Sequence, residues 1–254
     1  MKYTVRLCRI LYKVQLTSDI FDMTVEAGEL AQLAKPGQFA HIYLPGKTLR
    51  RPVSICEINR SERTLRFVFQ IRGEGTRRLA QMRVGDSLDL LAPLGSGFTL
   101  GEPSRRALFV GGGIGVPPLL EAAKNFGKNA TVLAGFRNQS NIILKEDFEK
   151  HGSRVLVATD DGSFGHHGMV THCIGELDFD VIFACGPTPM LKAVCRIAAE
   201  RGVPCQISLE ERMACGVGAC LGCAVKLKKD GQEVYGHVCK DGPVFDYQTV
   251  VWEG

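Results

Sequence analysis

Ala107-Leu108-Phe109-Val110-Gly111-Gly112-Gly113-Ile114-Gly115-Val116-Pro117-Pro118 is the stretch on which the fold turns. A short apolar run that stops at glycines has the length of a buried strand, not of a helix. After the turn, apolar residues recur at helical spacing over residues 119–126. Strands expected at 130–135, 154–158 and 180–184 alternate with helical stretches at 141–150 and 188–201. That alternation predicts a parallel sheet covered on both faces, with its ligand beyond the carboxyl ends of the strands. The glycine run does not complete G-x-G-x-x-G, because Val116 stands where the last glycine belongs. Gly112, Gly113 and Gly115 still allow a dinucleotide's diphosphate to approach a helix start; a purely structural turn is the plain alternative. Later in the same region comes Ala184-Cys185-Gly186-Pro187-Thr188. There Pro187 or Thr188 opens the next helix, and Cys185 falls either at the ligand edge of the sheet or in the core.

On the N-terminal side the period drops to two. Alternating or β-branched runs at 4–15, 23–25, 39–44, 65–71 and 87–92 are separated by glycine and proline turns, which predicts a small closed antiparallel barrel interrupted by one short helix at 76–82. Two motifs lie on it. Arg50-Arg51-Pro52-Val53-Ser54-Ile55 brings a guanidinium, a rigid proline and a hydroxyl to a strand start. Arg51 has the forked donors that neutralise a phosphate, and Ser54 has a hydroxyl for a heterocycle nitrogen; an exposed basic edge strand reads the same way. Gly73-Glu74-Gly75-Thr76 opens the short helix, whose free amides suit a phosphate as well as an ordinary cap.

On the C-terminal side a last strand at 203–209 leads into Cys215-Gly216-Val217-Gly218-Ala219-Cys220-Leu221-Gly222-Cys223, with Cys239 downstream. The spacing C-x4-C-x2-C plus a distant fourth cysteine is the plant-type arrangement around a [2Fe-2S] cluster. Zinc would favour a second C-x2-4-C knuckle, and only Cys220 and Cys223 make one. His237 raises a Rieske reading, which needs a second histidine that the loop lacks. Residues 224–228 and 233–237, joined at Lys229-Asp230-Gly231, predict a hairpin that returns the chain to Cys239.

The 254 residues, with a net charge of +4, hold more than one compact unit and no run of like charge long enough for a nucleic-acid groove. Residues 1–10 alternate polar and apolar without a signal-peptide core, and no stretch approaches the roughly 18 apolar residues of a membrane span. A cytoplasmic location with reduced thiols is expected. The cysteines outside the cluster loop (Cys8, Cys56, Cys173, Cys185, Cys195 and Cys205) read mostly as small buried hydrophobes.

In this order the pieces resemble the ferredoxin-NADP reductase superfamily along nearly the whole chain. Arg51-Pro52-Val53-Ser54 resembles its R-x-[YFV]-S flavin motif, and Gly75-Thr76 its flavin-diphosphate site. Gly112-Gly113-Ile114-Gly115 and Cys185-Gly186-Pro187 resemble its two nicotinamide-dinucleotide motifs. With the cluster loop and Val238-Cys239-Lys240-Asp241-Gly242-Pro243-Val244-Phe245, the resemblance narrows to electron-transfer subunits of class 1B dihydroorotate dehydrogenases. It implies a multi-domain β plus α/β architecture: an FAD-binding barrel (1–101), an NAD-binding α/β domain (102–208) and a small [2Fe-2S] domain (209–254). It further implies that Arg51, Pro52, Val53, Ser54, Val68, Phe69, Gln70, Gly75 and Thr76 bind FAD. Gly112, Gly113, Gly115, Cys185, Gly186 and Pro187 would bind NAD, and Cys215, Cys220, Cys223 and Cys239 the cluster. Ser54 would orient the flavin and Cys185 border the nicotinamide. Val53 replaces an often-found tyrosine, which puts ring stacking at that point in doubt.

The implied activity carries electrons from dihydroorotate oxidation, in an FMN-containing catalytic subunit of a heterotetramer, through the cluster and FAD to NAD+. One rival from the same parts is the flavoprotein subunit of an NADH-dependent ferredoxin:NADP+ oxidoreductase or a sulfide dehydrogenase. A rival of another class is a redox-sensing or zinc-stabilised binding module. Arg137, after the second strand of this region, reads either as a partner for a 2′-phosphate or as a simply exposed arginine, so the residues leave NAD against NADP open, and the resemblance favours NAD.

Overall fold

The computed structural model describes residues 3–252. Residues 1–2 and 253–254, the outermost ends of the first and last expected domains, lie outside the described residues. The chain divides into two compact units: Met1–Gly97 with Glu210–Val225 and Tyr235–Pro243, and Phe98–Leu209 with Lys226–Val234 and Val244–Gly254.

In the first unit, β1 (Thr4–Gln15), β2 (Ile20–Glu26), β3 (Phe39–Tyr43), β4 (Arg51–Asn59), β5 (Thr64–Gln70) and β6 (Ser87–Leu94) close into an antiparallel barrel of order β1-β2-β5-β4-β3-β6. Period-two alternation decides what faces inward. On β1, Cys8 and Ile10 are buried while Val5 and Leu7 face outward. Met23, Val25, Ile42, Ile55, Phe67 and Leu90 fill the interior. A short helix, α1 (Glu29–Leu33), was not expected from the sequence, and α2 (Glu74–Gln81) starts two residues earlier than expected. The Lys13 ammonium donates to the Ala80 and Met82 carbonyls. It thereby satisfies acceptors that the C-terminal turn of α2 leaves open.

Arg66 ties three neighbouring barrel strands. From β5 its Nε and Nη2 donate to the Asp22 carboxylate on β2, at 3.0 and 2.8 Å, and its Nη1 to Glu57 on β4 at 3.2 Å. Asp22 is 3% exposed, so removing the guanidinium strands a buried charge. Arg66→Met is expected to destabilise the protein by about 3 kcal/mol or more, read from the urea midpoint. A loss below about 1 kcal/mol, the ordinary worth of a surface ion pair, would contradict this.

The second unit contains β7 (Ala107–Gly112), α3 (Leu120–Lys124), β8 (Ala130–Phe136), α4 (Lys145–Lys150), β9 (Arg154–Thr159), β10 (His166–His167), β11 (Val181–Cys185), α5 (Thr188–Arg201) and β12 (Cys205–Ser208). A hairpin follows, β13 (Ala224–Lys229) with β14 (Gln232–His237), and then β15 (Val244–Asp246). The sheet has the order β10-β9-β8-β7-β11-β12-β15, parallel except where β15 runs against β12. Phe109 and Phe183 stack at 4.9 Å beneath it, with Phe98 edge-on to Phe183 at 5.5 Å.

Two helical expectations need correction. The stretch expected at 119–126 is α-helical only over Leu120–Lys124, following a 3₁₀ turn at Pro117–Leu119, because Pro117 and Pro118 withhold amide donors from its first turn. The stretch at 141–150 becomes helical only at Lys145, after Leu144 takes a left-handed φ of 60°.

Strand order gives this sheet its site. From β7 the chain steps outward through β8, β9 and β10, then returns to the other side of β7 for β11 and β12. The order therefore reverses between β7 and β11, and the crevice at such a switch point is where open α/β sheets take ligands.

Candidate functional site

In the first unit, four cysteines from two separated segments come together as two pairs. The Cys215 thiol makes a side-chain hydrogen bond with Cys220, and the Cys239 thiol one with Cys223. Backbone amides point at the sulfurs: Val217 and Ala219 donate to Cys215 Sγ at 3.4 and 3.3 Å, and Gly218 donates to Cys239 Sγ at 3.1 Å. Burial raises the Cys215 thiol, but the amides of Val217, Ala219 and Cys220 and the Cys220 thiol outweigh it, and its pKa falls to about 6. Burial, joined by the neighbouring Cys223, pushes Cys239 up to about 12.

Among the described residues, no three His, Cys, Asp or Glu side chains converge as ligands of one ion. Zinc draws four ligands to a single point. A two-iron centre takes two thiolates on each iron, and the 215/220 and 223/239 pairs fit that demand. Cys223 and Cys239 are buried while Cys220 is exposed, so one end of the loop meets solvent. His237 is not arranged as a Rieske ligand: its backbone donates to Asp241 Oδ2 at 2.7 Å and its Nδ1 lies 3.4 Å from the same oxygen.

The loop rests on His41 of β3. Gly216 has φ 72°, and a Cβ there would sit 2.5 Å from His41 Nδ1, so glycine meets both the left-handed backbone and the close approach. His41 is fully buried. Burial, then the charges of Arg50 and Arg51, lower its pKa to about 4, against a smaller opposing contribution from the Cys215 backbone. Nothing in the sequence marked this histidine.

Two barrel motifs far apart in sequence also meet. A Cβ on Gly75 would fall 2.3 Å from Arg51 Nε, so the Arg51 guanidinium lies against the first turn of α2. A guanidinium beside a helix N-terminus is a combination that holds phosphate. Arg50 differs from its neighbour: it donates to the His41 carbonyl at 3.2 Å and pairs with Asp89 at 2.9 Å, a structural role. The Thr76 hydroxyl accepts from the amides of Arg72 and Gly73, which caps the helix. Pro52, Val53 and Ser54 lie on β4, with Ser54 opposite Phe39. Val68, Phe69 and Gln70 end β5; Phe69 stacks on Phe21 at 5.9 Å, and Gln70 donates to Asp19 at 2.6 Å.

In the second unit, both expected dinucleotide motifs occupy the switch point. A Cβ on Gly115 would lie 2.3 Å from the Cys185 carbonyl oxygen and 2.7 Å from Gly186 Cα, so the turn after β7 packs backbone to backbone on the turn after β11. Gly113, at φ 54°, has no atom within 4 Å of its Cβ position; its backbone is open to a ligand. The Cys185 side chain is 2% exposed, so it offers a position at the strand end rather than a free surface thiol. Pro187 lies 2.8 Å from a Cβ on Gly112, and Met190 bridges the two turns, its Sδ 2.9 Å from that point and its Cε 2.7 Å from a Cβ on Gly186. Met190 was not singled out by the sequence, where it reads as one more apolar position on a helix.

Comparison with known proteins agrees with this geometry. Residues 210–251 match the model of the iron-sulfur cluster binding domain of dihydroorotate dehydrogenase B. The chain is 43% identical over 248 residues to the dihydroorotate dehydrogenase B (NAD(+)), electron transfer subunit of Caldanaerobacter subterraneus subsp. tengcongensis, covering 96% of this chain and 97% of that one. It is 42% identical to the subunit of the same name from Streptococcus mutans, covering 93% and 94%. Among solved structures, a chain of the NADH-dependent reduced ferredoxin-NADP oxidoreductase superposes with a TM-score of 0.86 at 32% identity, covering 97% of this chain and 90% of that one. The ferredoxin reductase of carbazole 1,9a-dioxygenase shares the fold, with a TM-score of 0.67 at 22% identity over 80% and 68% of the two chains. By its length-wide identity and its two thiol pairs, the chain belongs to the family of dihydroorotate dehydrogenase B electron transfer subunits.

Proposed function

We propose that this protein takes electrons from dihydroorotate oxidation in an FMN-containing catalytic subunit and delivers them to NAD+, in the cytoplasm, as a step of pyrimidine biosynthesis. FAD and one [2Fe-2S] cluster are its resident carriers, and two copies join two catalytic subunits in a heterotetramer. The reading rests above all on the two thiol pairs with amides aimed at their sulfurs. Residues 1–101 serve the flavin, 102–208 the nicotinamide dinucleotide and 209–254 the cluster. Among the described residues no helix is long and apolar enough to cross a membrane.

When bound, a flavin exchanges a hydride with nicotinamide and single electrons with an iron-sulfur centre, which is the conversion the activity requires. The protein's own part is to bind and orient. Arg51 and the α2 amides hold the diphosphate of FAD, with Gly75 leaving the guanidinium room. Pro52, Val53 and Ser54 on β4, with Val68, Phe69 and Gln70 on β5, form the wall for its ring, and the Ser54 hydroxyl orients the reacting edge. Gly112, Gly113 and Gly115 take the dinucleotide's diphosphate, while Cys185, Gly186 and Pro187 border the nicotinamide. Cys215, Cys220, Cys223 and Cys239 ligate the irons.

Arg51→Ala is expected to weaken FAD binding by roughly 10–100-fold, the worth of a charge-assisted hydrogen bond, measured by fluorescence on flavin release. Arg50→Ala, which breaks the Asp89 pair instead, should leave FAD affinity within about 3-fold, inside the scatter of a single surface ion pair. Equal losses in the two variants would remove Arg51 from the site.

The similarity to a subunit of the NADH-dependent reduced ferredoxin-NADP oxidoreductase supports a second reading, in which the partner is a large FAD and [4Fe-4S] protein. The test is purification of the native complex followed by assay. An FMN partner and dihydroorotate-dependent NAD+ reduction support the first reading; a [4Fe-4S] partner and no such reduction overturn it.

A further inference from the structure

α5 and β12 are joined by a tight reversal. Gly202 ends the helix at a φ of 64°, the Val203 amide donates to the Ala198 carbonyl at 3.1 Å, and the Ile182 amide of β11 donates to the Pro204 carbonyl at 2.9 Å. That turn brings the second half of the helix back onto the first residue of the strand. Leu191, Val194, Cys195 and Ala198 form the buried stripe of α5, and Cys205 opens β12 beside Ile182. The two thiols meet in a side-chain hydrogen bond. Cys205 is wholly buried, whereas Cys195 keeps 6% of its surface exposed. The bond from Cys205 holds the Cys195 thiol below its ordinary pKa, against burial and the charge of Asp246; Cys195 itself and then burial push Cys205 up. The sulfur that solvent can reach is thus also the better nucleophile, and the other is a protonated thiol in contact with it.

We propose that Cys195 and Cys205 are a site of reversible oxidation by hydrogen peroxide, closing to a disulfide that fastens α5 to β12. The Cys195 sulfur attacks one peroxide oxygen; the O–O bond breaks, the departing hydroxide takes up the thiol's proton as water, and Cys195 becomes a sulfenic acid. The Cys205 sulfur then attacks the Cys195 sulfur, the S–O bond breaks, and the departing hydroxide takes the Cys205 proton as a second water. Together the two sulfurs lose two electrons, and the peroxide gains them. Because the thiols already touch, the second step needs no unfolding of the turn. A dithiol reductant reverses the change by exchange and is itself left as a disulfide. In a reducing compartment such a bond forms under oxidant and is undone afterwards. Both cysteines lie outside the cluster loop, so the site is independent of what the four loop thiols hold.

The test treats the folded, cofactor-loaded protein with hydrogen peroxide, alkylates the remaining thiols in denaturant, and maps tryptic peptides by mass spectrometry without reduction. Trypsin separates the pair, because Lys192, Arg196, Arg201 and Arg212 bound the peptides 193–196 and 202–212. The expected product is these two peptides joined, lighter than their sum by the two hydrogens that the thiols gave up, and absent once dithiothreitol is added. Cys205→Ser is expected to stop at the first step, with Cys195 captured by dimedone, a trap for sulfenic acids. Cys195→Ser is expected to leave Cys205 unoxidised. Both peptides alkylated as fully as in untreated protein would overturn the site and leave the pair as core packing. Oxidation of Cys205 to the wild-type extent in Cys195→Ser would overturn the role of Cys195 as the attacking sulfur. If either variant does not fold, the wild-type map alone decides between a joined pair and free thiols.

Discussion

Cys220→Ala protein is expected to purify folded and yellow but without the [2Fe-2S] absorption, and to lose dihydroorotate-dependent NAD+ reduction when joined to its partner. Cys220 is the exposed member of the four, so its truncation opens no cavity in the core and leaves the barrel intact. What it removes is one member of the 215/220 thiol pair, so an iron held there would keep a single protein sulfur. Changes around a metal's ligands cost about 10–100-fold, and loss of a ligand should exceed that, placing the coupled rate at least ~100-fold down. Two-electron reduction of dyes by NADH needs no cluster and should persist. A coupled rate within a few-fold of wild type would mean that electrons bypass the loop.

The second large effect is expected at Gly115→Ala. The added Cβ would stand 2.3 Å from the Cys185 carbonyl oxygen and 2.6 Å from its carbon, and both are backbone at the end of β11. No side chain can swing aside, so the two switch-point turns must part. Overpacking of this kind costs about 1–3 kcal/mol, and here it falls on the two turns proposed to receive the dinucleotide. NADH-driven flavin reduction, followed by stopped flow, should drop by more than ~10-fold, the rate equivalent of about 1.4 kcal/mol, while iron content stays at the wild-type level. Gly202→Ala, just after α5, makes a control, because nothing lies within 4 Å of its Cβ and its cost is confined to a φ of 64°, about 1–2 kcal/mol. Equal kinetics for the Gly115 variant and wild type would show that the turns need not touch.

These two sites differ in how far the sequence announced them. The cysteine spacing and the glycine run could be read because their chemistry is local: a loop that wraps irons, or a turn that receives a diphosphate, must write its glycines and ligands close together. The hairpin was legible for the same reason. Asp230 and Gly231 both take positive φ, 51° and 80°, which is what an Asp-Gly turn demands. The alternation of the N-terminal half likewise foretold a barrel, since closing six short strands leaves no edge to protect.

Other features depend on partners brought from a distance, and these escaped. His41 reads as one position in an alternating strand, and only a loop from the far end of the chain makes it buried and chemically exposed to Cys215. Arg50 and Arg51 cannot be told apart in the sequence. Register separates them: Arg50 reaches Asp89 across the sheet, and Arg51 turns to Gly75. The short pieces β10 and β15 were missed because two or three residues carry no period, and β15 is held by pairing to β12 rather than by its own pattern. Helices 119–126 and 141–150 were drawn too long because apolar spacing overrode the local signals of Pro117, Pro118 and a left-handed Leu144.

Everything proposed for electron flow depends on what the two thiol pairs hold. Iron, zinc and acid-labile sulfide should be counted in the anaerobically purified wild-type protein, and its spectrum taken by electron paramagnetic resonance before and after dithionite. About two irons and two sulfides per chain are predicted, silent when oxidised and paramagnetic once reduced, as a plant-type [2Fe-2S] centre requires. One zinc per chain, with no sulfide and no signal in either state, would contradict it.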